Sequence, residues 1–189
     1  MKPDAELVSI ITEHENEIIW DKFTTDEAWA VGGAVREIFN NNYKPKDGSR
    51  VGIVVSITLF SGAILFQGSI GDGATPDNWN WVAGKTAIVR RYSRASFWVG
   101  RNTASKGPDA VERFKACSNF RVHGQLKIAP ELDYAAHGGA VPIRLRGLDF
   151  TNPIGVIVVS GLAQDQDHQL VIDACRKVLG SQATSSVVV

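Results

Sequence analysis

Hydrophobic residues first recur at helical spacing. Leu7, Ile10, Ile11, His14 and Ile18 fall on one face, while Glu6, Glu13, Glu15 and Glu17 take the other positions, so the chain opens with an amphipathic helix. Thr24 and Glu27 make a capping box for a second helix, which starts at Thr24 or Thr25. Ala28, Val31, Val35, Ile38 and Phe39 form its apolar face, with Gly32 and Gly33 as points where another backbone could pack closely. Asn40 to Asn42 and Pro45 to Ser49 read as loop. Val51 to Leu59 is rich in β-branched residues and reads as a buried strand; Ser61-Gly62 turns the chain, and Ala63 to Gln67 returns as the second arm of a hairpin.

Gly68 to Asp77 reads as a glycine-rich loop, after which Asp77 or Asn78 caps a third helix. That helix runs through Trp81, Lys85, Ile88, Val89 and Tyr92, with Val99 as its outer limit. A short helix starts at Pro108 and carries Val111, Phe114 and Cys117. Tyr134 to Gly139 is a turn whose paired glycines permit backbone geometry closed to other residues. Two more strands follow, Pro142 to Arg146 and Ile154 to Ser160, with a turn around Gly147 to Pro153. A last helix from about Asp165 buries Leu170, Val171, Ala174, Val178 and Leu179 and stops at Gly180, leaving residues 181–189 as a tail. Strands and helices do not alternate, which argues against a doubly wound parallel sheet and for an antiparallel sheet covered by helices. Residues 1–180 read as one domain.

Composition narrows the function. Twenty basic residues balance twenty acidic ones, so the chain lacks the basic excess that phosphate neutralisation favours; only Arg90, Arg91 and Arg94 cluster, and nucleic acid is not the expected partner. The mostly apolar stretch Val51 to Phe66 is broken by polar residues and is shorter than the roughly 20 residues that span a bilayer. The N-terminal residues lack an apolar signal core. Cys117 and Cys175 sit at apolar-spaced helix positions and read as buried free thiols, with a disulfide as the alternative. A cytoplasmic protein is the expectation.

Two groups of residues could carry chemistry. His137, beside Gly138 and Gly139, either faces a pocket as a metal or heme-iron ligand or proton shuttle, or fixes the turn through a ring hydrogen bond. His168, just after Asp165 and Asp167, either flanks a pocket at the end of the Val156 to Ser160 strand or packs at the helix start. Asp77, Asn78, Trp81, Lys85 and Arg90 form the second group; Asn78, Trp81 and Lys85 share a helical face and could bind a carboxylate or phosphate, with the indole as a stacking platform, or pack at an interface. His14 reads as a helix-face residue and His123 as a loop residue. No His-x-x-x-His, Cys-x-x-Cys, Gly-Lys-Ser/Thr or Gly-x-Ser-x-Gly motif occurs.

Three segments in order resemble the cytosolic branch of the GlcG/HbpS-like, or heme-degrading-domain, family. They are Thr75-Pro76-Asp77-Asn78 with Trp81, Lys85, Val89-Arg90, Ser93, Ser96 and Gly100; Tyr134-Ala135-Ala136-His137-Gly138-Gly139 with Pro142-Ile143; and Ile154-Gly155 with Val159-Ser160-Gly161-Leu162, Gln164 and Asp167-His168. Asp26, Ala28-Trp29 and Gly32 match as well, so the likeness runs from about Phe23 to Leu179. It departs at Gly139-Ala140-Val141-Pro142, where the branch has Gly-Gly-Ser-Phe-Pro, at Ala163, where it has proline, and at Val82-Ala83-Gly84, where it has a basic pair. The resemblance implies an α+β, profilin-like fold with a five-stranded antiparallel sheet between helical layers, and homo-oligomers in which dimers assemble further. It implies two functions. One is a non-enzymatic binding or assembly module, an adaptor for a cytosolic protein partner such as the machinery that delivers tail-anchored membrane proteins. The other is a heme- or iron-binding protein with heme-degrading chemistry, for which His137 or His168 is the axial ligand.

Overall fold

In the computed structural model, residues 2–45, 47, 49–118 and 134–185 are described. The element order is α1 (Asp4–Glu17), β1 (Ile19–Trp20), α2 (Thr25–Asn42), β2 (Gly52–Leu59), β3 (Ile64–Gly71), α3 (Pro76–Tyr92), α4 (Ser96–Ala104), α5 (Pro108–Ser118), β4 (Ala140–Leu145), β5 (Gly155–Ser160) and α6 (Gln164–Ser185). The strands form one five-stranded sheet in the order β1-β4-β5-β2-β3.

Alternation along the strands gives the sheet two buried faces. Ile53, Val55 and Ile57 of β2, Val141 and Ile143 of β4, and Ile157 and Val159 of β5 point toward α2 and α6, where Val31, Val35, Phe39, Leu170 and Val171 complete the larger core. The intervening residues Val54, Ala140, Val156 and Val158 meet Val82 and Val89 of α3 on the opposite face. A sheet between helical layers is therefore what the sequence builds. Every described residue of β5 is buried, as a strand covered on both sides requires.

Several boundaries differ from the expectation, each for a local reason. The sheet is mostly antiparallel, but β1 pairs parallel to β4 through Ile19–Arg144 and Trp20–Leu145. Two residues are too few for a period-two signal, so β1 leaves no trace in the pattern. Strand β3 continues to Gly71, because Gly68 to Gly71 pair with Val55 to Gly52 across the hairpin; the expected glycine-rich loop is half strand. Thr75, not Asp77 or Asn78, caps α3, and Asn78 instead accepts the Thr75 backbone N–H at 2.7 Å from the third helical position. Helix α3 stops at Tyr92, where Ser93 turns left-handed at φ 53°, and α4 is a separate helix. Gly180 does not end α6, which runs on to Ser185; glycine costs a helix about 1 kcal/mol but does not by itself break it. The Thr24–Glu27 capping box of α2 is present as read. His123 lies outside the described residues, as does the side chain of Cys117. Cys175 is a buried free thiol, and burial pushes its pKa up to about 12, which leaves it unreactive.

Candidate functional site

The strand β5 ends at Ser160, and the chain then turns sharply at Gly161 (φ 148°) into α6. The N-terminal half of α3 lies alongside. Asn78, Trp81 and Lys85, at i, i+3 and i+7, face this turn, and His137 closes the space from the segment before β4. Together with Ser160, Leu162, Gln164 and Asp167 they line a cleft of about 290 Å³. The two glycines of the turn have separate roles. A side chain on Gly138 would collide with the backbone carbonyl of Gln164, and Gly139 adopts φ 113° against the carbonyl of Val159.

Lys85 sits at the floor of the cleft, only 2% exposed. Its ammonium donates to Asp167 Oδ2 at 2.9 Å and to the Val159 carbonyl at 3.0 Å. Asp167 in turn accepts the backbone N–H of Leu162 at 3.0 Å and that of Gly161 at 3.4 Å, so one carboxylate ties α3 to the β5–α6 turn. Burial lowers the Lys85 pKa and raises that of Asp167, each toward its neutral form, and their mutual attraction opposes both shifts. The Oε1 atom of Gln164 is buried with no hydrogen-bond partner among the described residues.

His137 stands at the rim. Its ring meets the Trp81 indole edge-on, with centroids 4.9 Å apart at 77°, and its backbone carbonyl accepts from Ser96 Oγ. Loss of hydration on partial burial lowers its pKa, with the charges of Lys85 and Arg101 adding to the effect, so the imidazole is neutral near pH 7. The turn is thus held by the His137 backbone, while the ring faces the cleft beside Trp81.

The other expected site residues lie elsewhere. His168 is fully enclosed on a different face of α6. Its Nε2 lies 3.2 Å from His14 Nδ1, its ring packs on Phe97 with centroids 5.3 Å apart, and its Nδ1 is buried without a partner among the described residues. Burial, with the charges of His14 and Arg176, pushes its pKa down to about 3. Arg90 donates to the Phe60 carbonyl at 3.2 Å and lies over the Phe60 ring, outside the cleft. Asp77 is exposed in the first turn of α3, where a negative charge suits the helix dipole. The three clustered arginines do not form a shared anion patch: Arg91 lies over Tyr92 and Tyr134, and Arg94 binds Glu15 and lies over Trp98. Among the described residues, no three potential metal ligands converge.

Glu15 is a buried residue that the helical pattern placed on the polar face. It is 0% exposed, accepting Arg94 Nε at 2.7 Å and the Ala95 backbone N–H at 2.6 Å, with Arg144 Nη2 at 3.4 Å. Its position does carry a signal, since it lies four residues after Ile11 and three before Ile18, both buried.

Comparison with known proteins gives a consistent result. A UPF0303 protein of Streptomyces coelicolor is 32% identical over 179 residues, covering 94% of this chain and 97% of its own. A UPF0303 protein of Rhizobium meliloti is 33% identical over 171 residues, covering 90% and 89%. Two crystal structures share the fold. That of Ybr137w protein superposes with a TM-score of 0.73 at 24% identity, covering 92% of this chain and 88% of its own; that of HbpS gives 0.51 at 21%, covering 84% and 90%. The sequence model for the haem degrading protein HbpS-like family matches residues 23–176, a span that holds α2, all the sheet except β1, and the whole cleft, and the chain belongs to that family.

Proposed function

We propose that the chain is a non-catalytic binding module whose cleft takes a small planar ligand bearing both a hydrogen-bond donor and an acceptor. The observation that carries this is the buried, unpartnered Gln164 Oε1 in the same cleft as the Lys85 ammonium. A buried acceptor left unpaired costs roughly 1–3 kcal/mol, which a ligand donor would recover. Lys85 has a third N–H beyond its bonds to Asp167 and Val159 for the ligand acceptor. The Trp81 indole and neutral His137 ring supply flat walls at the mouth. Non-catalytic is the better reading because Asp167 is already bound to Lys85 and two backbone amides, so the one histidine of the cleft has no carboxylate to orient it among the described residues. The module works as a homo-oligomer in this reading, with near-zero net charge offering little repulsion between copies. No described residue carries a link to tail-anchored protein delivery, and we do not propose one.

Heme is the second reading, favoured by the family and by the accessible neutral imidazole of His137. The fit is poor. The cleft is at the lower limit of the roughly 300–1,000 Å³ usual for small-molecule pockets. His168 is sealed in the interior beside His14 and Phe97. The described residues do not enclose a macrocycle.

Calorimetric titration with benzamide, benzoate and hemin separates these readings. The account expects saturable benzamide binding that Trp81→Ala and Gln164→Leu each weaken, with benzoate weaker because it lacks the donor. A hemin Soret shift abolished by His137→Ala, with no benzamide binding, would establish the second reading instead.

A further inference from the structure

A second, larger concavity is lined by α2, β3 and the chain before β2, none of which lines the cleft. Among the described residues the order β1-β4-β5-β2-β3 leaves β3 with one unpaired edge, and α2 runs beside it. The two elements are parallel and in step: the Trp29 ring meets Phe66 at 5.3 Å, and ten residues later Phe39 lies against Gly71. Between them is a groove of about 710 Å³. From Trp29 to Asn40 a helix advances about 17 Å, and from Phe66 to Gly71 a strand advances about 17 Å, so the groove matches about five extended residues. The run Gly68, Ser69, Ile70 and Gly71 lines it without a break. Consecutive strand residues point to opposite faces, so it is the strand edge itself that borders the groove.

The two ends differ in chemistry. Trp29, 62% exposed, stands with Phe66 at one end. Arg36, Lys44 and Arg50 stand toward the other, and Asp72 is the one acid of the lining. None of the three cations forms an ion pair with a described residue, whereas Lys22, Lys85, Arg94, Arg101, Arg144, Arg146, Arg176 and Lys177 all do. Two glycines add to the picture. Gly32 is required, because a side chain there would meet the Phe66 ring at 2.5 Å; Gly33 and Gly68 line the groove and have nothing within 4 Å. Glycine inside a helix or strand destabilises it, and no contact among the described residues explains these two.

We propose that this groove binds an extended acidic peptide segment, which pairs with the free edge of β3, sets an apolar side chain against Trp29 and Phe66, and places carboxylates among Arg36, Lys44 and Arg50. The backbone edge supplies a ladder of donors and acceptors, as in recognition by strand addition. Gly33 and Gly68 let the added backbone approach closely. A second copy of this chain fits less well, since its own groove brings the same three cations, unpaired among the described residues, and a single acid.

The test uses the full chain and a fluorescein-labelled peptide reading Phe-Val-Glu-Val-Glu-Glu, with a counterpart in which lysine replaces each glutamate. Fluorescence anisotropy should show saturable binding of the acidic peptide, and binding of the lysine peptide weaker by about tenfold or more. The Arg36→Ala, Arg50→Ala double variant and Gly68→Val should each weaken the acidic peptide by about tenfold, with a melting temperature for Gly68→Val no lower than the parent's, because its added Cβ meets nothing within 4 Å and a strand glycine is replaced. Trp81→Ala, in the other cleft, should leave peptide binding unaltered, which keeps this result separate from the small-ligand proposal. No saturable binding, equal binding of the lysine peptide, or indifference to Gly68→Val would overturn the proposal. So would a Gly68→Val variant that light scattering finds at a smaller assembly mass than the parent, since the groove would then be a contact between copies.

Discussion

Lys85 and Asp167 form a buried ion pair 2.9 Å apart, both 3% exposed in their side chains, that joins helix α3 to the first turn of α6 across the end of β5. The pair is at once the floor of the cleft and a structural tie. Lys85→Met leaves Asp167 buried without its cation and is expected to cost roughly 3–5 kcal/mol in urea unfolding. Lys85→Met combined with Asp167→Leu should recover part of that loss, because no charge is then left uncompensated. Full recovery is not expected, since the Leu162 N–H loses its acceptor. A double variant as unstable as the single one would show that the charges are not the issue.

His168 makes stability depend on pH. Its folded pKa of about 3 lies below the unfolded value of 6.5, so the unfolded chain binds more protons between those limits. The contribution is present in full above pH 6.5 and is lost as pH falls toward 3, by up to about 1 kcal/mol per pH unit. His14 shifts in the same direction, through burial and the Arg176 charge. Thermal melts of His168→Gln should show a flatter acid limb than the parent protein. An identical pH profile would remove the buried imidazole from the account.

The neighbouring glycines of α2 predict opposite signs. Gly32→Ala places a methyl group 2.5 Å from the Phe66 ring and should destabilise by roughly 1–3 kcal/mol. Gly33→Ala meets nothing and should stabilise the helix by about 0.5–1 kcal/mol. Chemical denaturation of the two variants side by side reads the difference directly. Equal effects would mean that Phe66 does not occupy the position described.

Glu15 anchors α1 through Arg94, Arg144 and the start of α4. Glu15→Ala leaves the Arg144 guanidinium, 3% exposed, without its carboxylate and should cost about 3–5 kcal/mol. Glu15→Gln keeps an acceptor for the Ala95 N–H and should cost less. A loss near zero for alanine, measured by urea unfolding, would place Glu15 in solvent.

The sequence pattern foretold most of the fold where periodicity is strong. The hairpin of β2 and β3, the capping box at Thr24, and the strands β4 and β5 follow from spacing and side-chain type alone. What it missed depends on tertiary contact. Strand β1 exists because Ile19 and Trp20 happen to lie beside β4. Glu15 is inside because two arginines distant in sequence reach it. Among the candidate residues, Asn78, Trp81, Lys85, His137, Gly138 and Gly139 are readable as two separate groups, and folding brings them to one cleft or its supporting turn. His168 and Arg90 share those segments but point elsewhere, which helical spacing could have signalled for Arg90: it lies five residues beyond Lys85, about 140° around the helix. The role of Gln164 was not legible, because an unpartnered acceptor is a property of the packed interior.

The most direct test of the cleft follows the indole N–H resonances in proton–nitrogen NMR spectra while benzamide is added, with the Trp81 signal identified by its loss in Trp81→Phe. The account predicts that the Trp81 indole shifts and saturates together with the His137 and Gly161 backbone amides, while the indole of Trp20, 0% exposed in the core, stays in place. A Trp81 signal that never moves, or shifts spread evenly over all the indoles, would contradict it.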